Sequence, residues 1–152
     1  MPDANRFHLA QLNVARMRAP LEDPIMADFV AQLEHVNAVA EASPGFIWRL
    51  QTDDGDATAI RAFDDERILV NMSVWESLEA LRNYVYNGDH LKVLRQRKQW
   101  FEPSDGPALV LWWILDGQLP SVEDAKERLQ WLAQRRPSAE AFTFAKPYPA
   151  PA

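Results

Sequence analysis

The sequence predicts an α+β fold, a ferredoxin-like antiparallel sheet with helices on one face. Three observations carry this. Four short stretches, Phe7 to Val14, Phe46 to Gln51, Ile68 to Trp75 and Leu109 to Leu115, read as strands. Apolar residues at three- and four-residue steps follow the first, and a Ser-capped helical stretch follows the third. The order strand, helix, strand, strand, helix, strand is that of the split βαβ unit. One domain, 1–152, is expected, with a core over about 6–116 and an extra helix and extended tail in 117–152.

Each element has its own reason. Ala19-Pro20 and Asp23-Pro24 end the first strand, and Asp23 can cap a helix with Pro24 in its first turn. Ile25, Phe29, Leu33, Val36 and Ala40 form one stripe, and Ser43-Pro44-Gly45 stops the helix. Asp53-Asp54-Gly55-Asp56 and Asp64-Asp65-Glu66 read as turns around a strand-like piece from Ala57 to Phe63. Ser77 caps a helix to about Tyr86. Asn87-Gly88 interrupts it, and Asp89 can recap a continuation to about Trp100. Ser121, three residues before Asp124, starts the last helix, which reaches about Arg135. Beyond Pro137 the chain is proline-rich and extended, with Phe142 and Phe144 expected to dock and Pro147 to Ala152 loose.

Composition excludes several functions. The formal net charge of −6 argues against a nucleic-acid partner. The basic cluster Arg95-Gln96-Arg97-Lys98 reads as a solvated helix flank. Cysteine is absent, which removes disulfides, thiolate nucleophiles and iron–sulfur clusters. The N-terminal residues are polar, and no apolar run approaches the roughly 20 residues that span a bilayer. A cytoplasmic location and no membrane contact are expected.

The strand Asn71-Met72-Ser73-Val74-Trp75 carries the main functional signal. Alternation places Leu69, Asn71, Ser73 and Trp75 on one face and Ile68, Val70, Met72 and Val74 on the other. An amide, a hydroxyl and an indole on one face fit a cavity that needs hydrogen bonds. Gln11 and Asn13 repeat the pattern on the first strand. Two polar faces in register would line one pocket between sheet and helices. The competing reading is structural: a buried Asn can pin backbone, and a strand-end Trp can be plain core. Leu109 to Leu115 is apolar on both faces, while a ferredoxin-like core covers only one. A homodimer packed through the sheet face is therefore expected.

Ser43-Pro44-Gly45-Phe46 leading into the second strand, and Val74-Trp75-Glu76-Ser77 closing the third, resemble the dimeric α+β barrel superfamily. Leu9 to Arg16, Asn71 to Ser77 and Trp100-Phe101-Glu102-Pro103 resemble an uncharacterised family, domain of unknown function 3291. That resemblance covers nearly the whole chain and implies a fold but no activity. At site level, the chain is similar to cofactor-free, antibiotic-biosynthesis-type monooxygenases. The resemblance implies that Asn13, Asn71, Trp75 and Arg95 act on a small apolar or aromatic ligand without a cofactor. Gln11, Ser73, Tyr84 and His90 would add to the binding surface. The tyrosine used by some members is out of register, since Leu81 stands there and Tyr84 one turn later.

His8, His35 and His90 show no metal-ligand spacing, so no metal site is expected. His90 stands near the place where haem-binding members of the superfamily keep an axial histidine. Haem with His90 as ligand is thus the alternative cofactor reading, although the register points to Leu94. A non-catalytic ligand-binding dimer is the other alternative. No phosphate loop, calcium loop or Gly-x-Ser-x-Gly elbow is present.

Overall fold

The computed structural model describes residues 7–51, 58, 60, 63–86, 88–104 and 106–151, with the side chain of Asp89 excepted. The expected turn at 53–56 lies outside these residues, as does most of the strand-like piece at 57–63. Strand β1 runs Phe7–Arg16, followed by a 3-10 turn at Pro24–Met26 and helix α1, Ala27–Ala42. Strands β2, Phe46–Arg49, and β3, Ile68–Trp75, come next, then helices α2, Leu78–Val85, and α3, Gly88–Trp100. Strand β4, Leu109–Leu115, and helix α4, Val122–Gln134, complete the order. The sheet is antiparallel in the order β2-β3-β1-β4, as the split βαβ unit requires.

Local chemistry sets the boundaries. Asp23 accepts a hydrogen bond from the Ile25 amide, but the turn it caps is 3-10, and α1 starts at Ala27. The tighter turn shifts the phase of the apolar stripe. Met26 is fully buried, and Ile25, expected on the stripe, is exposed. Ser77 and Ser121 cap α2 and α4 through the amides of Ala80 and Asp124. The expected interruption separates two helices, α2 ending at Val85 and α3 starting at Gly88.

Alternation sorts the sheet into two dry layers. Ala10, Leu12, Val70, Met72, Val74, Val110 and Trp112 form one core with Ala125 and Leu132 of α4 and Ala141. Ile60 and Phe63 pack against its margin, and Lys126 of α4 lies 4.8 Å over the Phe63 ring. The expected sheet-face homodimer took this face to be uncovered, whereas α4 and the residues around it cover much of it within one chain. Met72 and Trp112 keep 1% and 0% exposure with no partner present. Trp112 faces α4, while Trp113 points the other way and donates its indole N–H to the Tyr148 carbonyl at 2.9 Å.

The opposite face carries α1, α2 and α3 above two apolar clusters. One gathers Leu9, Trp75, Leu81, Leu111 and Phe142. The other gathers Met17, Met26, Leu69 and Trp100. Phe142 exchanges both backbone hydrogen bonds with Leu111, so the tail docks along β4 as expected of Phe142. Arg16 closes the far end of β1 through Asp65, at 2.6 Å, and through Glu102.

Candidate functional site

Strand pairing builds the site before any side chain is considered. Asn13 lies opposite Asn71, and Gln11 lies opposite Ser73. Directly opposed residues share a face, so these four line one patch beneath the helices. The patch sits between the two apolar clusters of that face. β3 is an interior strand, yet Asn71 in its middle is exposed and Asn13 is half-buried. The helices therefore leave Asn71 open to solvent, while Gln11 and Ser73 keep only 5% and 7% exposure.

Hydrogen bonds orient the patch. The Gln11 Nε2 group donates to Asn71 Oδ1 at 2.6 Å and to Ser73 Oγ at 2.8 Å. The Trp75 indole N–H donates to the same Ser73 oxygen at 2.8 Å. Gln11 thus holds the Asn71 carbonyl and fixes the plane of its amide. Ser73 already accepts two bonds, so its own O–H must point elsewhere. Trp75 is fully buried, edge-on to Phe46 and stacked on Tyr84 with centroids 5.1 Å apart. Its indole N–H is committed to Ser73, so Trp75 shapes the patch from behind.

Tyr84 continues the stack to His90, whose ring centroid lies 4.8 Å away. The Tyr84 hydroxyl faces the Val36 carbonyl of α1 at 3.4 Å. Burial pushes its pKa up to about 12, against a smaller opposing pull from Arg49, so it is a neutral phenol. Burial lowers the His90 pKa, partly offset by its hydrogen bond to the backbone of Val85. His90 Nδ1 lies 3.1 Å from the Val85 carbonyl. A carbonyl only accepts, so the neutral ring carries its proton on Nδ1 and keeps a lone pair on Nε2.

Gln11, Asn13, Asn71 and Ser73 thus come together on one patch, and Trp75, Tyr84 and His90 form an aromatic stack attached to it. Arg95 stands apart from these contacts. It is exposed on α3, in a shallow groove with Leu91, Leu94, Arg97 and Lys98. A wider groove lined by Phe63, Pro107, Lys126 and Leu129 lies on the α4 side of the sheet.

Arg49 is the residue that the sequence reading missed. It lies opposite Ser73, which extends the row Gln11–Ser73 onto β2. A bulge makes this possible. Phe46 pairs with Trp75, but Trp48 pairs with Val74 and Arg49 with Ser73, so the register slips between Phe46 and Trp48. Simple alternation from Phe46 would send Arg49 to the α4 face; the bulge re-aims it. Its Nε donates to Glu41 on α1 at 2.7 Å, and its side chain is only 12% exposed. The run of three large apolar residues before it, Phe46-Ile47-Trp48, is the signal that alternation must break there.

Among the described residues, no group of three or more His, Cys, Asp or Glu side chains is placed to hold a metal ion. No helix is long and apolar enough to cross a membrane.

Solved structures share the fold. A protein of unknown function from Nitrosomonas europaea, NE2512, matches with a TM-score of 0.51 at 11% identity, over 77% of this chain and 98% of its own. A conserved protein from Methanosarcina mazei Go1 matches with a TM-score of 0.50 at 7% identity, over 74% and 95%. SnoaB, a cofactor-independent oxygenase from Streptomyces nogalater, matches with a TM-score of 0.46 at 16% identity, over 75% and 98%. Among curated proteins, none matches the chain significantly. The family model described as a domain of unknown function, DUF3291, matches residues 8–152, and the chain belongs to that family.

Proposed function

We propose that the patch around Asn13 and Asn71 binds a small aromatic or enolisable ligand and that the protein oxygenates it without a cofactor. The observation that carries this reading is the orientation of Asn71. Gln11 holds its carbonyl, and the exposed side chain can offer its amide N–H groups to a ligand on a patch flanked by apolar clusters. Such donors stabilise the oxyanion that develops when an acidic phenol or enol loses its proton. The resulting carbanion gives up electrons to dioxygen; one oxygen atom stays on the product and the other leaves as water. Asn13 supplies a second donor, Ser73 and Gln11 hold the first, and Trp75 braces Ser73. Arg95 is not needed in this scheme.

Oxygen uptake with an anthrone substrate tests the reading. Asn71→Ala should lower kcat/KM by about 100-fold, the usual loss for one oxyanion donor. Because Asn71 is exposed, the thermal midpoint should hold. A drop in stability with no change in ligand binding would make Asn71 a structural pin instead. The bare Nε2 of His90 supports a second reading, haem binding, because a neutral imidazole with Nδ1–H bonded to a carbonyl is the ligating form. A Soret band on adding haemin, lost in His90→Ala, would favour it.

A further inference from the structure

We propose that the outer face of α3 docks an acidic amphipathic helix of another protein. The way α3 is held comes first. Val93 and Trp100 pack into the cluster beneath it, and Gln96 accepts a hydrogen bond from Gln32 of α1. With those three turned inward, helical geometry turns Leu91, Arg95 and Lys98 outward. Together with Leu94 and Arg97 they line a groove of about 340 Å³. Leu91 and Leu94 lie outside the three apolar clusters, yet both are half-buried. They form an apolar floor, and Arg95, Arg97 and Lys98 form its rim.

Charge says what would cover that floor. Among the described residues, Arg95, Arg97 and Lys98 make no ion pair with an acidic side chain. Two acids beside the end of α3, Asp65 and Glu102, are both engaged by Arg16. A fourth cation joins the rim at that corner: Arg18 is exposed and donates through Nε to the Lys98 carbonyl at 2.8 Å. In a chain of net charge −6 this is a local positive surface on a negative molecule. Such a surface steers an anionic partner to one face and suppresses other orientations. The order along α3 sets the partner's pattern, because the leucines stand nearer its start and the three rim cations nearer its end. A phosphate backbone would use the cations and leave the leucines bare. A helix with apolar residues at three- and four-residue steps covers the floor, and carboxylates beside them meet the rim. A concave groove also suits the ridge of a helix better than a flat bilayer.

Fluorescence anisotropy tests this with the full chain and a fluorescein-labelled peptide of about four helical turns, with leucines on one face and glutamates beside them. The peptide should bind in the micromolar range and weaken as salt is raised. Arg95→Glu combined with Lys98→Glu should weaken it by about tenfold and should let the same peptide with lysines for glutamates bind instead. Leu91→Ser should weaken the acidic peptide by about fivefold, with the thermal midpoint of the chain unchanged. No binding of the acidic peptide, or binding indifferent to Leu91, would overturn the proposal. So would full affinity in the double variant, which would place the contact on another surface. Tighter binding of a single-stranded oligonucleotide or of phosphatidylglycerol vesicles, lost in the double variant, would give the face to nucleic acid or lipid and overturn it as well.

Discussion

Ser73 shows how one small side chain can organise a site. Its oxygen takes hydrogen bonds from Trp75 and Gln11, so the largest residue of the patch and its most buried amide are tied to one point. Asn71 gains its orientation from the same amide. His90 sits at the far end of the stack, held neutral by burial, and this has a pH consequence. Its folded pKa lies below the ordinary 6.5, so below that pH the unfolded chain binds the extra proton first. Stability is therefore full above about pH 6.5 and falls as pH drops from there toward the lower folded value. His90→Phe keeps a ring against Tyr84 but has no proton to bind. The expected result is a smaller loss of urea midpoint between pH 7.5 and about 5.5 in His90→Phe than in the unmodified chain. Equal slopes would show that His90 titrates as it does in the unfolded state.

Two irregularities at the ends of β2 decide what the regular elements can present. Gly45, at φ +85°, precedes the strand, and its carbonyl accepts from the Glu76 amide at 2.8 Å. A methyl group built there would overlap the Ala80 side chain of α2. Gly45→Ala should therefore cost about 2 to 4 kcal/mol, combining a left-handed backbone with overpacking, and chemical denaturation would measure it. A loss under about 1 kcal/mol would show that α2 can shift away from the strand. The bulge after Phe46 is the second irregularity, and it marks the limit of what could be read in advance. The paired faces of Gln11, Asn13, Asn71 and Ser73 were legible because β1 and β3 alternate without a break. Arg49 was not, because one extra residue in β2 inverts its face. Tyr84 was legible as a candidate but not as the stacking partner of Trp75, since no sequence spacing fixes how a helix sits over a sheet.

At the scale of the whole molecule, the question is what the second sheet face is for. An apolar strand such as β4 must be covered on both sides, and the sequence alone admits either a second chain or the chain's own last helix. Within one chain, α4 covers the β4 side of that face. Ala125 is fully buried against the sheet, Leu132 nearly so, and Arg128 packs over Trp112 and Trp131 at 5.9 and 5.2 Å. Among the described residues, Trp112 Nε1 and Arg128 Nε have no hydrogen-bond partner beneath the helix. Arg128 Nε still lies 3.6 Å from an Asp124 oxygen, an attraction beyond hydrogen-bonding reach. Arg128 also donates through Nη1 to the Glu140 carbonyl at 2.7 Å, which ties α4 to the tail. α4 lies mainly against β4 and β1, so a partner could add to this face without lifting it. A homodimer is the expected state, measured by light scattering across micromolar concentrations. Met72, 1% exposed within one chain, should as Met72→Cys stay shielded from thiol reagents. Ala125→Asp, which places a carboxylate under α4, should loosen the helix and destabilise the chain in chemical denaturation. A mass of one chain for the unmodified protein would sink the homodimer and leave α4 and its neighbours as the whole cover of the face.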